Sequence, residues 1–251
     1  LEKMQRAPQF ITGDFEPHHC FLQDDEYGRA LDAMVKAVSD ILVTSRSGAK
    51  VFLGRRKVEP QPDWWYIGGR SKPGETPEEA AARSVRRELK LDIPVERFEV
   101  IANYSFVWQF RKQAPQGNGT ADISTVHCLE LSEEEVSKAE FDNKEYAECK
   151  WWEVEEVLAG EFHPALKQAI WDSRSKKSYK TLEKIVANSG DDAAVAAAAR
   201  NLVVRGTPFS GGSKPVKVRF SNGKYEYVEE SSNESEPAIK RPKNNNGNQV
   251  Q

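Results

Sequence analysis

The chain predicts an α+β fold built on a mixed β-sheet, and three observations carry that expectation. Apolar strand runs and helical stretches succeed one another irregularly, not in strict βαβ alternation. A glycine turn, Gly68-Gly69, follows the aromatic run Trp64-Trp65-Tyr66-Ile67 and leads within a few residues into a helix start, Thr76-Pro77-Glu78-Glu79. Beyond residue 160 the sequence turns helical and then strongly polar, as an appendage to a domain of ordinary size does.

In chain order, residues 1–21 are irregular, punctuated by Pro8, Gly13 and Pro17. His18-His19-Cys20 are adjacent, so on an extended chain they point to opposite faces and do not share an ion. Residues 24–36 carry Ala30, Leu31, Met34 and Val35 at helical spacing behind Asp24-Asp25. Asp40–Thr44 and Lys50–Arg56 read as strands joined at Ser47-Gly48-Ala49. Trp64–Ile67 is a third strand, and 98–109 and 123–131 are longer ones, separated by a loop rich in proline and glycine. A last strand spans Glu148–Val154, with a helix starting at Glu155. Helices are expected at 164–173, 177–189 and 191–204. Asn222-Gly223, between Val216–Phe220 and Tyr225–Val228, signals a hairpin. Residues 229–251 are nearly devoid of apolar side chains and predict a disordered tail. The division that follows is a domain over 22–160, a helical extension over 161–205, a hairpin over 206–228 and the tail.

Composition narrows the function. The 251 residues are 38% hydrophobic and 30% charged, with a net charge of −3. That balance gives no signal for nonspecific nucleic-acid binding. No apolar run reaches the roughly 18 residues of a membrane span. Cys20, Cys128 and Cys149 are too few and scattered for a disulfide framework, which points to a reducing intracellular compartment. The chain begins at Leu1, so the cytoplasm, or a mitochondrion or plastid after loss of a targeting peptide, are the compartments considered.

The helix after Thr76 carries the chemistry. Thr76 caps it, Pro77 takes its first position and Glu79 completes a capping box. Ala81, Val85 and Leu89 form its apolar stripe, and Glu88 lies about 20° from Ala81 around the axis. A carboxylate at the border of a buried stripe needs a partner. Helix geometry leaves two open: a salt bridge, for instance to Arg55 or Arg56, or a metal ion.

The pattern Gly69, five residues, Glu75, seven residues, Arg83, four residues, Glu88 resembles the Nudix box. Two of the three usual carboxylates after the arginine are absent, since Ser84 and Arg87 stand there, and Lys90 replaces the usual glycine. Within that family, Phe52-Leu53-Gly54-Arg55-Arg56, Gly68-Gly69-Arg70 and Tyr104–Gln109 are similar to the GDP-mannose mannosyl hydrolase branch, whose box is reduced in the same way. The resemblance implies a Nudix-type mixed sheet sandwiched between helices. It implies Mg²⁺, or Mn²⁺, held by the Gly68 carbonyl, Glu88 and Glu145, with Arg56 and Arg70 neutralising a leaving diphosphate. Glu75 and Arg83 would tie loop to helix, and Asp40, Tyr104 and Trp108 would join Arg56 and Arg70 in binding substrate. A homodimer is implied by the same branch.

Chemistry agrees with such a set. A hard cation takes oxygen ligands and keeps several waters, so one or two carboxylates suffice. Two departures bear on activity. Glu145-Tyr146 stands where the branch has a glutamine and a histidine base, and a phenol with an ordinary pKa near ~10 is a poor base at neutral pH. Arg87 puts a cation where most of the family has a metal-facing carboxylate, which opposes metal binding unless it points at substrate phosphate. Neither His127, read as a core-edge residue, nor His163, read as a helix cap, supplies the base. Trp64, Trp65, Tyr104 and Trp108 suit either a stacked base or the core.

Beside a nucleotide sensor that binds without cleaving, two readings therefore stand. The first is a Mg²⁺-dependent hydrolase of a nucleoside diphosphate linked to another moiety, nearest to nucleotide sugars. The second is a catalytically inactive Nudix-fold scaffold that binds protein partners in a larger assembly, organellar or otherwise, through 206–251.

Overall fold

The computed structural model describes residues 8–141, 145–188, 191–204, 216–221 and 224–226. The first helix, α1, is Asp24–Ala33, and the sheet follows as β1 (Lys36–Ser45), β2 (Lys50–Arg56), β3 (Trp64–Trp65) and β4 (Ile67–Arg70). Helix α2 is Pro77–Leu89; β5 (Glu99–Trp108), β6 (Thr120–Leu131), the short α3 (Glu133–Ser137) and β7 (Tyr146–Glu153) come next. Helices α4 (Val154–Ala159), α5 (Pro164–Ala187) and α6 (Asp192–Val204) close the larger unit. Among the described residues, no helix is long and apolar enough to cross a membrane.

The seven-stranded sheet runs β3-β2-β1-β6-β5, with β4 on β1 and β7 on β2. The β1–β6 pair is parallel over ten residues, Lys36↔Asp122 to Ser45↔Leu131, and the other pairs are antiparallel. β1 is buried on both faces, so its interior reads as a continuous apolar run, not an alternating one. Ile41 and Val43 pack with Val85, Leu89 and Phe98 on the α2 side. Leu42 packs with Trp65, Phe106, Val157 and Leu166 on the side of α4 and α5. The result is the α+β arrangement of a mixed sheet between helices.

One edge of β1 is shared. Val43 and Thr44 pair with β2, whereas Val38–Ile41 pair with β4, so the sheet forks near residue 42. The run Trp64–Ile67, expected as one strand, is where the chain changes arms. Trp64 and Trp65 pair with β2, Ile67–Arg70 pair with β1, and Tyr66 sits between. Hydrogen bonding to two different neighbours overrides the unbroken apolar pattern.

Other differences have equally local causes. The helix expected over 24–36 stops at Ala33, because from Lys36 onward the backbone is committed to the long ladder with β6. The helices expected at 164–173 and 177–189 are one helix, α5. No glycine or proline lies between them, and Ser178 and Thr181 bond the carbonyls of Arg174 and Lys177 at 3.0 and 2.9 Å, which keeps their hydroxyls within the helix.

The second unit, from Lys214 onward, is described only as β8 (Arg219–Ser221) paired antiparallel with β9 (Lys224–Glu226). Asn222-Gly223 and the tail expected over 229–251 lie outside the described residues.

Candidate functional site

Helix α2 is held rigidly at its start. Thr76 Oγ1 accepts from the Glu79 amide at 3.2 Å, and Glu79 reaches back to the Thr76 amide at 2.8 Å, a cap that contributes about 1 kcal/mol. Arg83, one turn on, donates to Glu75 at 2.7 Å and to the Arg70 carbonyl at 3.0 Å, while Glu75 accepts from the Lys72 amide. This clamp ties the loop after β4 to the helix. The helix ends at Lys90, whose left-handed φ of 56° marks a place that suits glycine.

Gly68 is required by its packing. A Cβ there would come within 2.5 Å of the Ser39 carbonyl and 2.7 Å of Asp40 Oδ1, so only glycine lets β4 lie this close to β1. Its carbonyl and Glu88 then meet. Glu88 is completely buried, and its two oxygens have different partners. Oε1 takes a close charge-assisted bond from Arg87 Nη2. Oε2 takes one from the Tyr146 hydroxyl and a weak one from the Gly68 amide at 3.4 Å. The same Arg87 nitrogen lies 3.3 Å from the Gly68 carbonyl oxygen and 4.0 Å from Glu145 Oε2.

The three groups expected to hold Mg²⁺ or Mn²⁺, namely the Gly68 carbonyl, Glu88 and Glu145, thus converge, and the point on which they converge is a guanidinium nitrogen. With Arg87 seated there the residues present do not fit a divalent cation, whose oxygens must approach to about 2.1 Å. Among the described residues no group of three histidine, cysteine, aspartate or glutamate side chains is placed to bind a metal. The salt-bridge alternative for Glu88 names different arginines: Arg55 pairs with Glu148 at 3.0 Å and Arg56 with Glu145 at 3.1 Å, leaving Arg87 to Glu88. Burial pushes the Glu88 carboxyl above its usual range, and the Arg87 charge opposes that shift. Burial, with Glu88 alongside, also holds the Tyr146 phenol protonated far above neutral pH, so it donates and does not act as a base.

Where the sheet forks, a cleft of 260 Å³ opens, lined by Lys36, Asp40, Arg56, Arg70, Arg87 and Glu145 together with Gly68-Gly69. Arg56 is largely buried, and its Nε has no hydrogen-bond partner among the described residues. Arg70 lies over the Tyr27 ring at 5.0 Å and has no carboxylate partner among the described residues. Asp40 accepts from Ser124 Oγ at 2.6 Å. Burial raises its pKa to about 7, partly countered by that hydroxyl and by the Arg56 charge.

Two expected substrate contacts are elsewhere. Tyr104 bonds Asp172 on α5, and Trp108 is buried in the core with its indole nitrogen 2.8 Å from Asp122. Both belong to the face that α5 covers, so packing, not stacking on a ligand, accounts for them. His163 caps α5, accepting from the Ala165 amide at 3.1 Å, and burial lowers its pKa to about 3. His127 is a core residue and not an edge one, fully buried against Phe98. Lys36 and Tyr27 line the cleft without having been read from the sequence. Strand parity was the available signal for Lys36, which lies four residues before Asp40 and so on the same face; nothing in the sequence marks Tyr27.

Fold and cleft together are those of an α+β domain with a basic cleft where its mixed sheet forks. The NUDIX domain family model matches residues 34–172, more than half of the sequence, and the chain belongs to that family. No curated protein gives a significant match. Solved structures resemble it at low identity. The dihydroneopterin triphosphate pyrophosphohydrolase of E. coli is 22% identical, with 55% of this chain and 94% of that one covered and a TM-score of 0.43. The MutT protein of Methanosarcina mazei Go1 is 19% identical over 58% and 96%, with a TM-score of 0.43. The NUDIX domain of Shewanella oneidensis NrtR, solved with ADP ribose, is 16% identical over 57% and 88%, with a TM-score of 0.44.

Proposed function

We propose that the cleft binds the diphosphate of a nucleoside diphosphate linked to another moiety, with a nucleotide sugar as the nearest candidate, and that arginines supply the positive charge. One observation carries this reading: Lys36, Arg56, Arg70 and Arg87 line a single cleft beside a bare glycine turn. Guanidinium groups suit this ligand because they offer bidentate contacts to phosphate oxygens. Arg56 Nε, unpartnered among the described residues, and Arg70, without a carboxylate partner among them, are donors available to it.

Titration calorimetry with a panel of nucleotide sugars and dinucleotides tests the proposal. Wild type binds at least one of them, and Arg56→Ala or Arg70→Ala weakens that binding by about tenfold or more, as loss of a charge-assisted contact does. Absence of binding across the panel would overturn it.

Mg²⁺-dependent hydrolysis of the same ligand is a second reading. It is favoured by the exposure of the Arg87 side chain, 44%, which lets the guanidinium leave Glu88 for a bound phosphate. Hydrolysis in isotopically heavy water decides it: labelled product supports the reading and reports whether carbon or phosphorus was attacked, whereas no product leaves a binding protein.

A further inference from the structure

We infer that Arg87 is a resident replacement for the divalent cation and is the residue that keeps metal out of the cleft. The inference deepens the diphosphate-binding reading and takes its functional meaning from it. Its geometry is independent of any ligand. Arg87 Nη2 bonds Glu88 Oε1 and the Gly68 carbonyl, at 3.3 Å for the latter, and faces Glu145 Oε2 at 4.0 Å. A metal ion held by those groups would have to occupy the volume this nitrogen fills. The remaining oxygen of Glu88 is taken by the Tyr146 hydroxyl and the Gly68 amide, so the carboxylate offers no second place for an ion.

The surroundings make room for the guanidinium there. A Cβ on residue 69 would lie 3.1 Å from Arg87 Nη2, so the second glycine of the turn leaves the room the arginine uses. Charge opposes a metal as well. Glu88 and Glu145 are paired with Arg87 and Arg56, Asp40 bonds the Ser124 hydroxyl, and an added divalent cation would meet Lys36, Arg56, Arg70 and Arg87 as like charge. A diphosphate entering the cleft would then find its counter-charge already in place, on side chains.

The test uses the full chain and Mn²⁺ alone, without nucleotide, and reads the free-ion signal by electron paramagnetic resonance. Wild type, Arg87→Gln and Arg87→Glu are compared, each checked for folding by circular dichroism and thermal melting. The expected result is tighter Mn²⁺ binding in both variants, by at least about tenfold in Arg87→Glu, where the cation gives way to a carboxylate. Equal affinity in wild type and folded Arg87→Glu would overturn the inference. Should Arg87→Glu fail to fold, Arg87→Gln decides alone: tightening supports the inference and no tightening overturns it. Failure of the diphosphate reading shows separately, as absent nucleotide binding by wild type, and leaves the Mn²⁺ comparison untouched.

Discussion

Helix α2 takes part in two glutamate–arginine pairs that look equivalent on paper and behave differently in place. Glu75–Arg83 joins the loop to the outside of the helix, with both side chains partly exposed, at 19% and 25%. Glu88–Arg87 has one member fully buried and the other reaching into the cleft. In the first pair each ion keeps water to fall back on; in the second the carboxylate is buried and, among the described residues, has Arg87, Tyr146 and the Gly68 amide as partners. The chemistry of a pair therefore does not say what it does, and the depth of its acidic member does.

The largest effect expected from breaking this contrast is at Glu88. Glu88→Ala orphans the buried Tyr146 hydroxyl and leaves a cavity, and should lower stability by about 2–3 kcal/mol. Glu75→Ala should cost about 1 kcal/mol or less, as exposed pairs do. Urea denaturation of both variants checks this, and equal losses would erase the distinction.

Asp40 sharpens the comparison, as a buried carboxylate with a hydroxyl partner and no ion pair among the described residues. Its folded pKa, about 7, lies above the unfolded value, so the folded state binds the extra proton. Stability from this group is full below the unfolded pKa near ~4 and is lost as pH rises to the folded value. Asp40→Asn should flatten the fall in stability between those limits and raise stability at alkaline pH, by on the order of 2–4 kcal/mol. Melting curves across that range test it, and an unchanged slope would refute the assignment.

The smallest effect is at the end of the same helix. Lys90→Gly relieves the left-handed backbone and removes a bond to the Arg87 carbonyl, for a net gain of about 0.5–1 kcal/mol in urea. A loss of stability would show that the lysine's contact outweighs its strain.

Much of this was legible in the sequence. Capping residues, glycine turns and apolar runs report local requirements, so α2, the Ser47–Ala49 turn and the long strands can be read directly. The spacing from Gly69 to Glu88 likewise points to the loop and helix at the cleft. What could not be read depends on partners far along the chain. The change of arms at Tyr66 is set by which strand each residue bonds. Tyr104 and Trp108 look identical to ligand-stacking aromatics until α5 is placed over them. The seat of Arg87 between Gly68 and Glu88 needs the packed turn and helix before it can be seen, although its sequence position already marked it as unusual.

Tyr146 can reach Glu88 only because residue 54 is glycine: a Cβ there would fall 2.4 Å from the tyrosine ring. One small volume is thus claimed by two positions more than ninety residues apart in the chain. While the ring lies there, a side chain at position 54 has nowhere to go. A variant that restores a smaller side chain at 146 frees position 54 to vary, and no variant that keeps the ring does.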